Sequence, residues 1–221
     1  MAQQLQSITI TAPGFAGINT QDAPLSQEPT FAAVADNCVI DKEGRIAARK
    51  GYSVLTTNPA ILGSSDGIES MGEYVASDGD ITFLSAGNNK VFTGTTTLVD
   101  VTPAAYTITD NNWKFVPFND HMYIFQRGHE PLIYSDHAGT LEAMSNHAHA
   151  TGTPPQGHEC LAAFGRLWVA DFTANKSTIY WSDLLNGSGW SGGSTGSIDI
   201  TKVWPTGYDT IVALAAHNGF L

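Results

Sequence analysis

The stretch WKFVPFNDHMYIFQRGHEPLIYSD, Trp113 to Asp136, places two apolar runs around a tight Asn-Asp turn and adds a third run after Gly128. The same arrangement returns as CLAAFGRLWVADFTANKSTIYWSD, Cys160 to Asp183. Within these copies PLIYSD (Pro131 to Asp136) aligns with TIYWSD (Thr178 to Asp183) at an offset of 47 residues. An earlier copy, Gly72 to Thr102, reads GEYVAS-DGD-ITFLSAG-NN-KVFTGTT-TLVDVT. Its four apolar runs of about six residues, broken at Asp-Gly, Asn-Asn and Thr-rich turns, predict a four-stranded antiparallel meander. A further copy opens at Ile211 as IVALAAH-NG-FL.

These strands do not alternate between apolar and polar. In HMYIFQ, Met122 and Ile124 point to one face and Tyr123 and Phe125 to the other, and both faces are apolar. A half-solvated strand would alternate, so the pattern predicts sheets buried on both sides. Small four-stranded sheets repeated every 40–50 residues and packed between neighbours describe β-propeller blades. A β-sandwich uses similar strands and turns, but repetition of the whole unit favours the propeller. The expected class is all-β.

Composition points the same way. The 221 residues are 42% hydrophobic and only 14% charged, with 22 glycines. A helical bundle would need more Glu, Lys and Leu, and a disordered chain more charge. The blades are expected over residues 53–221, with 1–52 as a separate N-terminal segment and hairpin. In that segment Pro29 is expected to open a short helix over TFAAVAD, followed by the hairpin CVID-KEG-RIAARKGY, Cys38 to Tyr52. The Gly/Pro/Ser-rich stretches 146–159 and 186–197 read as long polar loops on the rim.

Charge excludes a sequence-reading nucleic-acid binder. The chain carries 10 basic and 21 acidic residues, net −11. Residues 1–52 hold five acids and four bases, leaving the remainder at net −10. Such a body repels phosphates. The N-terminal bases are Lys42, Arg45, Arg49 and Lys50. Arg45 and Arg49, four apart on a strand, share a face and are the candidate assembly contacts.

Catalytic and metal chemistry finds little footing. Cys38 and Cys160, 122 positions apart, read as buried thiols rather than a disulfide framework. Six of seven histidines fall between His121 and His158, including the pair His147 and His149. A metal would need a third ligand such as His158, Glu159 or Cys160, and the flexible loop favours surface histidines instead. There is no G-x-S-x-G elbow and no phosphate-binding glycine loop, so no catalytic residue and no cofactor are expected. Asp136 and Asp183 recur at equivalent places, which favours a repeated turn role over a catalytic pair. Of the five tryptophans, Trp113, Trp168 and Trp181 read as core, while Trp190 in its Gly/Ser loop is the best exposed contact. No apolar run reaches the ~20 residues of a membrane-spanning helix, and no leader-like h-region opens the chain.

The stretch Gly17 to Tyr52, GINTQDAPLSQEPTFAAVADNCVIDKEGRIAARKGY, resembles the start of tail proteins of short-tailed bacteriophages. There a G-[LIV]-N-[ST]-x-D-x-P-like opening leads to an A-x-N-x-x-[IV]-D-x-x-G-x-[IL]-x-x-R-x-G hairpin. The match is carried by Gly17, Asn19, Asp22, Pro24, Asn37, Asp41, Gly44, Ile46, Arg49 and Gly51. The segment AAFGRLWVADFTANKSTIYWSDLLNGSGW also looks like their propeller blades. The best match is the tail nozzle, or tail tubular, family.

That resemblance implies a non-enzymatic virion subunit, made in the host bacterial cytoplasm and assembled as a six-fold ring at the distal end of the tail. Its partners would be copies of itself, the adaptor and portal-side tail proteins, and tail fibres. Genomic DNA would pass through its channel without specific binding, and no membrane anchor is implied. Two other readings stand beside it. One is a host-receptor or glycan-binding propeller using Trp190 and the loop histidines; the other is a propeller glycosidase. A propeller closes with about four to eight blades, whereas three full units and a partial one precede Leu221. The expectation is therefore that the polypeptide continues beyond Leu221.

Overall fold

The computed structural model describes residues 14–40, 45–58, 67–87, 89–106, 108, 112–135, 139–203 and 210–221. It divides the chain into two compact units, Met1–Ser53 and Val54–Leu221.

In the first unit, β1 (Gly17–Ile18) pairs in parallel with β2 (Phe31–Ala32). The antiparallel hairpin joins β3 (Cys38–Ile40) to β4 (Ile46–Ala48), with Cys38 opposite Ala48. The helix expected after Pro29 is absent. The backbone of Thr30–Ala32 is committed to the neighbouring segment instead: Ala16 N–H donates to Thr30 O and Asn19 N–H to Ala32 O. Seven residues are too few to nucleate a helix against such competition.

The second unit is a run of antiparallel meanders. The first contains β5 (Ser70–Val75), β6 (Ile81–Gly87), β7 (Lys90–Thr93) and β8 (Val99–Asp100). The second contains β9 (Lys114–Phe118), β10 (His121–Phe125), β11 (Leu132–Ser135) and β12 (Thr140–Ala143). The third contains β13 (Gly157–Ala163), β14 (Arg166–Phe172), β15 (Thr178–Trp181) and β16 (Gly196–Asp199). Each sheet pairs its strands in chain order. The repeated strings fall on β11 and β15, the third strand of successive sheets. The two polar stretches are shorter as loops than their composition indicates: Gly157–Glu159 opens β13, and Gly196 and Ser197 belong to β16. Backbone pairing with a neighbouring strand overrides side-chain polarity there.

The middle sheet is buried on both faces, as its pattern requires. Met122, Ile124, Leu132 and Tyr134 pack against Tyr74, Leu84, Ala86 and Val91 of the first sheet. On the opposite face Val116, Tyr123, Phe125 and Ile133 pack against Cys160, Leu167 and Val169 of the third. The first strands approach most closely, with β9 lying against β5 on one side and β13 on the other. Gly72 in β5 makes that approach possible, because a Cβ there would sit 2.8 Å from the Cβ of Phe115.

Turn chemistry ties the sheets laterally. The β9–β10 turn, Asn119 and Asp120, has φ of 46° and 62°, a left-handed pair without glycine. Its side chains compensate for that strain. Asp120 Oδ1 accepts from Ser77 N–H at 2.7 Å, and Tyr74 Oη–H donates to Asp120 O at 2.7 Å, both toward the first sheet. Asn119 Nδ2–H donates to Leu185 O at 2.8 Å, toward the third. The turn between β13 and β14 falls at Phe164-Gly165, with Ala163 paired to Arg166. Asn218-Gly219 also forms a left-handed two-residue turn, closed by reciprocal bonds between His217 and Phe220.

Candidate functional site

The N-terminal hairpin carries the sequence-predicted assembly residues. Asn37 adopts φ 54°, and its carbonyl accepts from Arg49 N–H at 3.0 Å, closing the hairpin beyond the last paired residue. Arg45 and Arg49 therefore flank β4 rather than lie within it, and both are exposed. Upstream, Asn19 Oδ1 accepts from the backbone N–H groups of Gln21 and Asp22, and its Nδ2–H donates to Asp22 Oδ2 at 2.8 Å. This Asx turn explains why Asn19 and Asp22 sit three apart in the opening motif. Lys42, Asp41 and Gly44 lie outside the described residues, as do Asp136 and Trp204.

Three histidines converge beside the second sheet. His121 opens β10, and its ring centroid lies 5.0 Å from that of His147, which is 5.6 Å from His149. His147 Nδ1 accepts from His149 N–H and lies 3.1 Å from Ser188 Oγ, so that nitrogen is already engaged by the protein. Burial, followed by the neighbouring His121, holds the His147 imidazole below its ordinary value. The third ligands considered from sequence do not join this group. His158 and Glu159 belong to another network, and Cys160 is buried in the core, where desolvation pushes its thiol well up. Among the described residues no cluster of three His, Cys, Asp or Glu is placed to hold a metal.

That other network spans the second and third sheets. Arg127 Nη2–H donates to Asp171 Oδ2, with Lys176 Nζ 4.0 Å from Oδ1 and His158 Nδ1 3.8 Å from Oδ2. Glu159 meets Lys114 at 3.3 Å and His158 at 3.4 Å. Asp171 is buried with φ 59°, a left-handed residue inside β14, where the ladder keeps one register from Ala163–Arg166 to Gly157–Phe172. Each carboxylate faces a cation, which is the geometry of a cross-sheet clamp and leaves neither one directed at open space as an acid or base.

Asp183 has a turn role. Its Oδ1 accepts from Ser194 N–H at 2.9 Å and Ser194 Oγ–H at 2.8 Å, and from Leu184 N–H at 2.9 Å. These bonds, led by the Ser194 amide, hold its carboxyl below the usual carboxylate range. The loop they organise carries Trp190, which is half-buried rather than exposed. Its indole N–H points to Met144 Sδ at 3.2 Å, and the ring packs on the core between the second and third sheets. Trp113 is buried as core, while Trp168 and Trp181 are only half-buried and meet at a 43° tilt with centroids 5.4 Å apart. Beside Trp190 opens a cavity of about 540 Å³, whose walls come from loops and strands separated along the chain. No protein-family model matches the chain, and no curated protein matches it.

Proposed function

We propose that this chain is a non-enzymatic structural subunit of a bacteriophage tail nozzle, forming part of the ring through which genomic DNA leaves the capsid. The observation that carries this reading is the succession of three four-stranded meanders stacked face to face and closest at their first strands, preceded in the sequence by a separate N-terminal unit with its hairpin. Sheets that converge at their first strands fan outward like propeller blades. The Asx turn at Asn19 and the hairpin at Asn37 give physical roles to motif positions that carry the nozzle resemblance.

Charge supports the same reading. Residues beyond 52 carry net −10, and an acidic wall lets a duplex slide where a basic wall would hold its phosphates. The outward face of the first sheet exposes Met71, Val75, Ile81 and Phe83, an apolar surface suited to a subunit contact. The assembled partners would be copies of the chain as a six-fold ring, adaptor and portal-side tail proteins, and tail fibres. Electron microscopy of the purified protein and of particles labelled on this chain tests it. Rings with an axial hole at the distal tail are expected; isolated monomers, together with label absent from tails, would refute the reading.

A further inference from the structure

We infer that the cavity beside Trp190 is a binding site for a neutral oligosaccharide, a role independent of ring formation. The cavity, about 540 Å³, lies within the range of about 300–1,000 Å³ usual for small-ligand sites. Its aromatic wall is Phe172, Tyr180, Trp181 and Trp190. Both indole N–H groups are spent inside the protein: Trp190 on Met144 Sδ, and Trp181 on Ser194 O at 3.0 Å. The parts of these rings that line the cavity therefore offer carbon, not donors. Phe172 and Tyr180 meet edge to face at 5.0 Å, which holds both rings in place before any ligand arrives.

The polar groups around this wall are amides and hydroxyls. Asn175 is oriented by its Oδ1, which accepts from Ser177 N–H and from Ser177 Oγ–H at 2.9 Å. Its Nδ2 and the Gln156 side chain make no hydrogen bond within the described residues, and Asn175 and Gln156 are both lining residues of the cavity. Among the described residues no carboxylate, ammonium, guanidinium or imidazole contributes to the lining. A pyranose presents an apolar C–H face edged by hydroxyls, so flat aromatic carbon beside side-chain amides matches it on both counts. An anionic sugar or a nucleotide would find no counter-charge among these described residues. The histidine cluster borders a different cavity, lined by Asn119, His121 and His147, so it takes no part in this site.

The test is a tryptophan-fluorescence titration of the whole chain with maltohexaose, cellohexaose, chitohexaose and xylohexaose. A galacturonate hexamer and a proline-rich decapeptide serve as competitors of other classes. At least one neutral hexasaccharide is expected to saturate below about 10 mM, and Tyr180→Ala and Gln156→Ala each to weaken it about tenfold. The melting temperature of each variant is measured alongside, and Gln156, being exposed, keeps the test open should Tyr180→Ala fail to fold. His149→Ala, outside the cavity, is expected to bind like the parent. The inference is overturned if no neutral sugar saturates, if binding survives Gln156→Ala and any folded Tyr180→Ala, or if the charged sugar or the peptide binds more tightly.

Discussion

At the scale of single residues, burial controls the titrating and nucleophilic groups. Desolvation is the main cause holding His147 and His158 below the ordinary imidazole value of 6.5. In the unfolded chain both imidazoles titrate near 6.5, so on acidification the unfolded state takes protons first. Their contribution is thus present above that value and is lost as pH falls through it toward the folded values. Melting curves recorded across this window should show a falling midpoint, and replacing His147 with Asn should flatten the dependence; an unchanged slope would count against the burial argument. The thiols should differ likewise. Cys160 is wholly enclosed and its thiolate strongly disfavoured, whereas Cys38 is half-buried. Iodoacetamide followed by peptide mapping should modify Cys38 in the native protein and Cys160 only after denaturation.

At the scale of elements, the middle sheet and the hairpin make different demands. Ile124 of β10 is buried against the first sheet, so Ile124→Ala should cost about 2–5 kcal/mol in chemical denaturation. Gly72→Val should also destabilise strongly, because the added Cβ meets Phe115 rather than solvent. The Asn119-Asp120 turn poses a finer question. Substituting Asn119 and Asp120 by Gly would ease the left-handed strain, yet it removes the side-chain bonds to Ser77 and Leu185. A net loss of about 1–3 kcal/mol is expected, since the unpaired groups are left behind. In the hairpin, Arg45 and Arg49 are exposed at either end of β4, so Glu at both positions should leave folding intact. Under the proposed tail role, incorporation into phage particles should fall; normal incorporation would rule out the hairpin as the proposed assembly surface.

For the molecule as a whole, the acidic balance predicts behaviour toward nucleic acid. Residues 53–221, at net −10, should not retain double-stranded DNA in a filter-binding assay at low salt. Salt-sensitive retention at about micromolar concentration would contradict a passive channel wall. The clamp between Arg127 and Asp171 belongs to this scale too, because it joins sheets rather than strands. Asp171→Ala leaves Arg127 without its buried partner, and a loss of about 3–5 kcal/mol is expected in unfolding measurements.

The all-β class and the meanders were legible in the sequence because strand periodicity and turn residues are local properties. The doubly apolar run Met122 to Phe125 announced a sheet covered on both sides, and the 47-residue offset located equivalent third strands. The helix after Pro29 was misread because the competing partner, the 16–19 segment, lies more than ten residues away. The loops were misread at their ends for the same reason: Gly157 and Gly196 look like linker residues until a neighbouring strand supplies their hydrogen bonds. Trp190 looked exposed in its Gly/Ser context, and only the packing of Met144 beneath it draws the ring inward. The separation of the histidines from His158, Glu159 and Cys160, and the cavity assembled from Gln156, Asn175, Tyr180 and Trp190, were decided by tertiary structure alone. Local chemistry fixes what each strand and turn is; which side chains meet depends on how the sheets stack, and that is set by contacts distant along the chain.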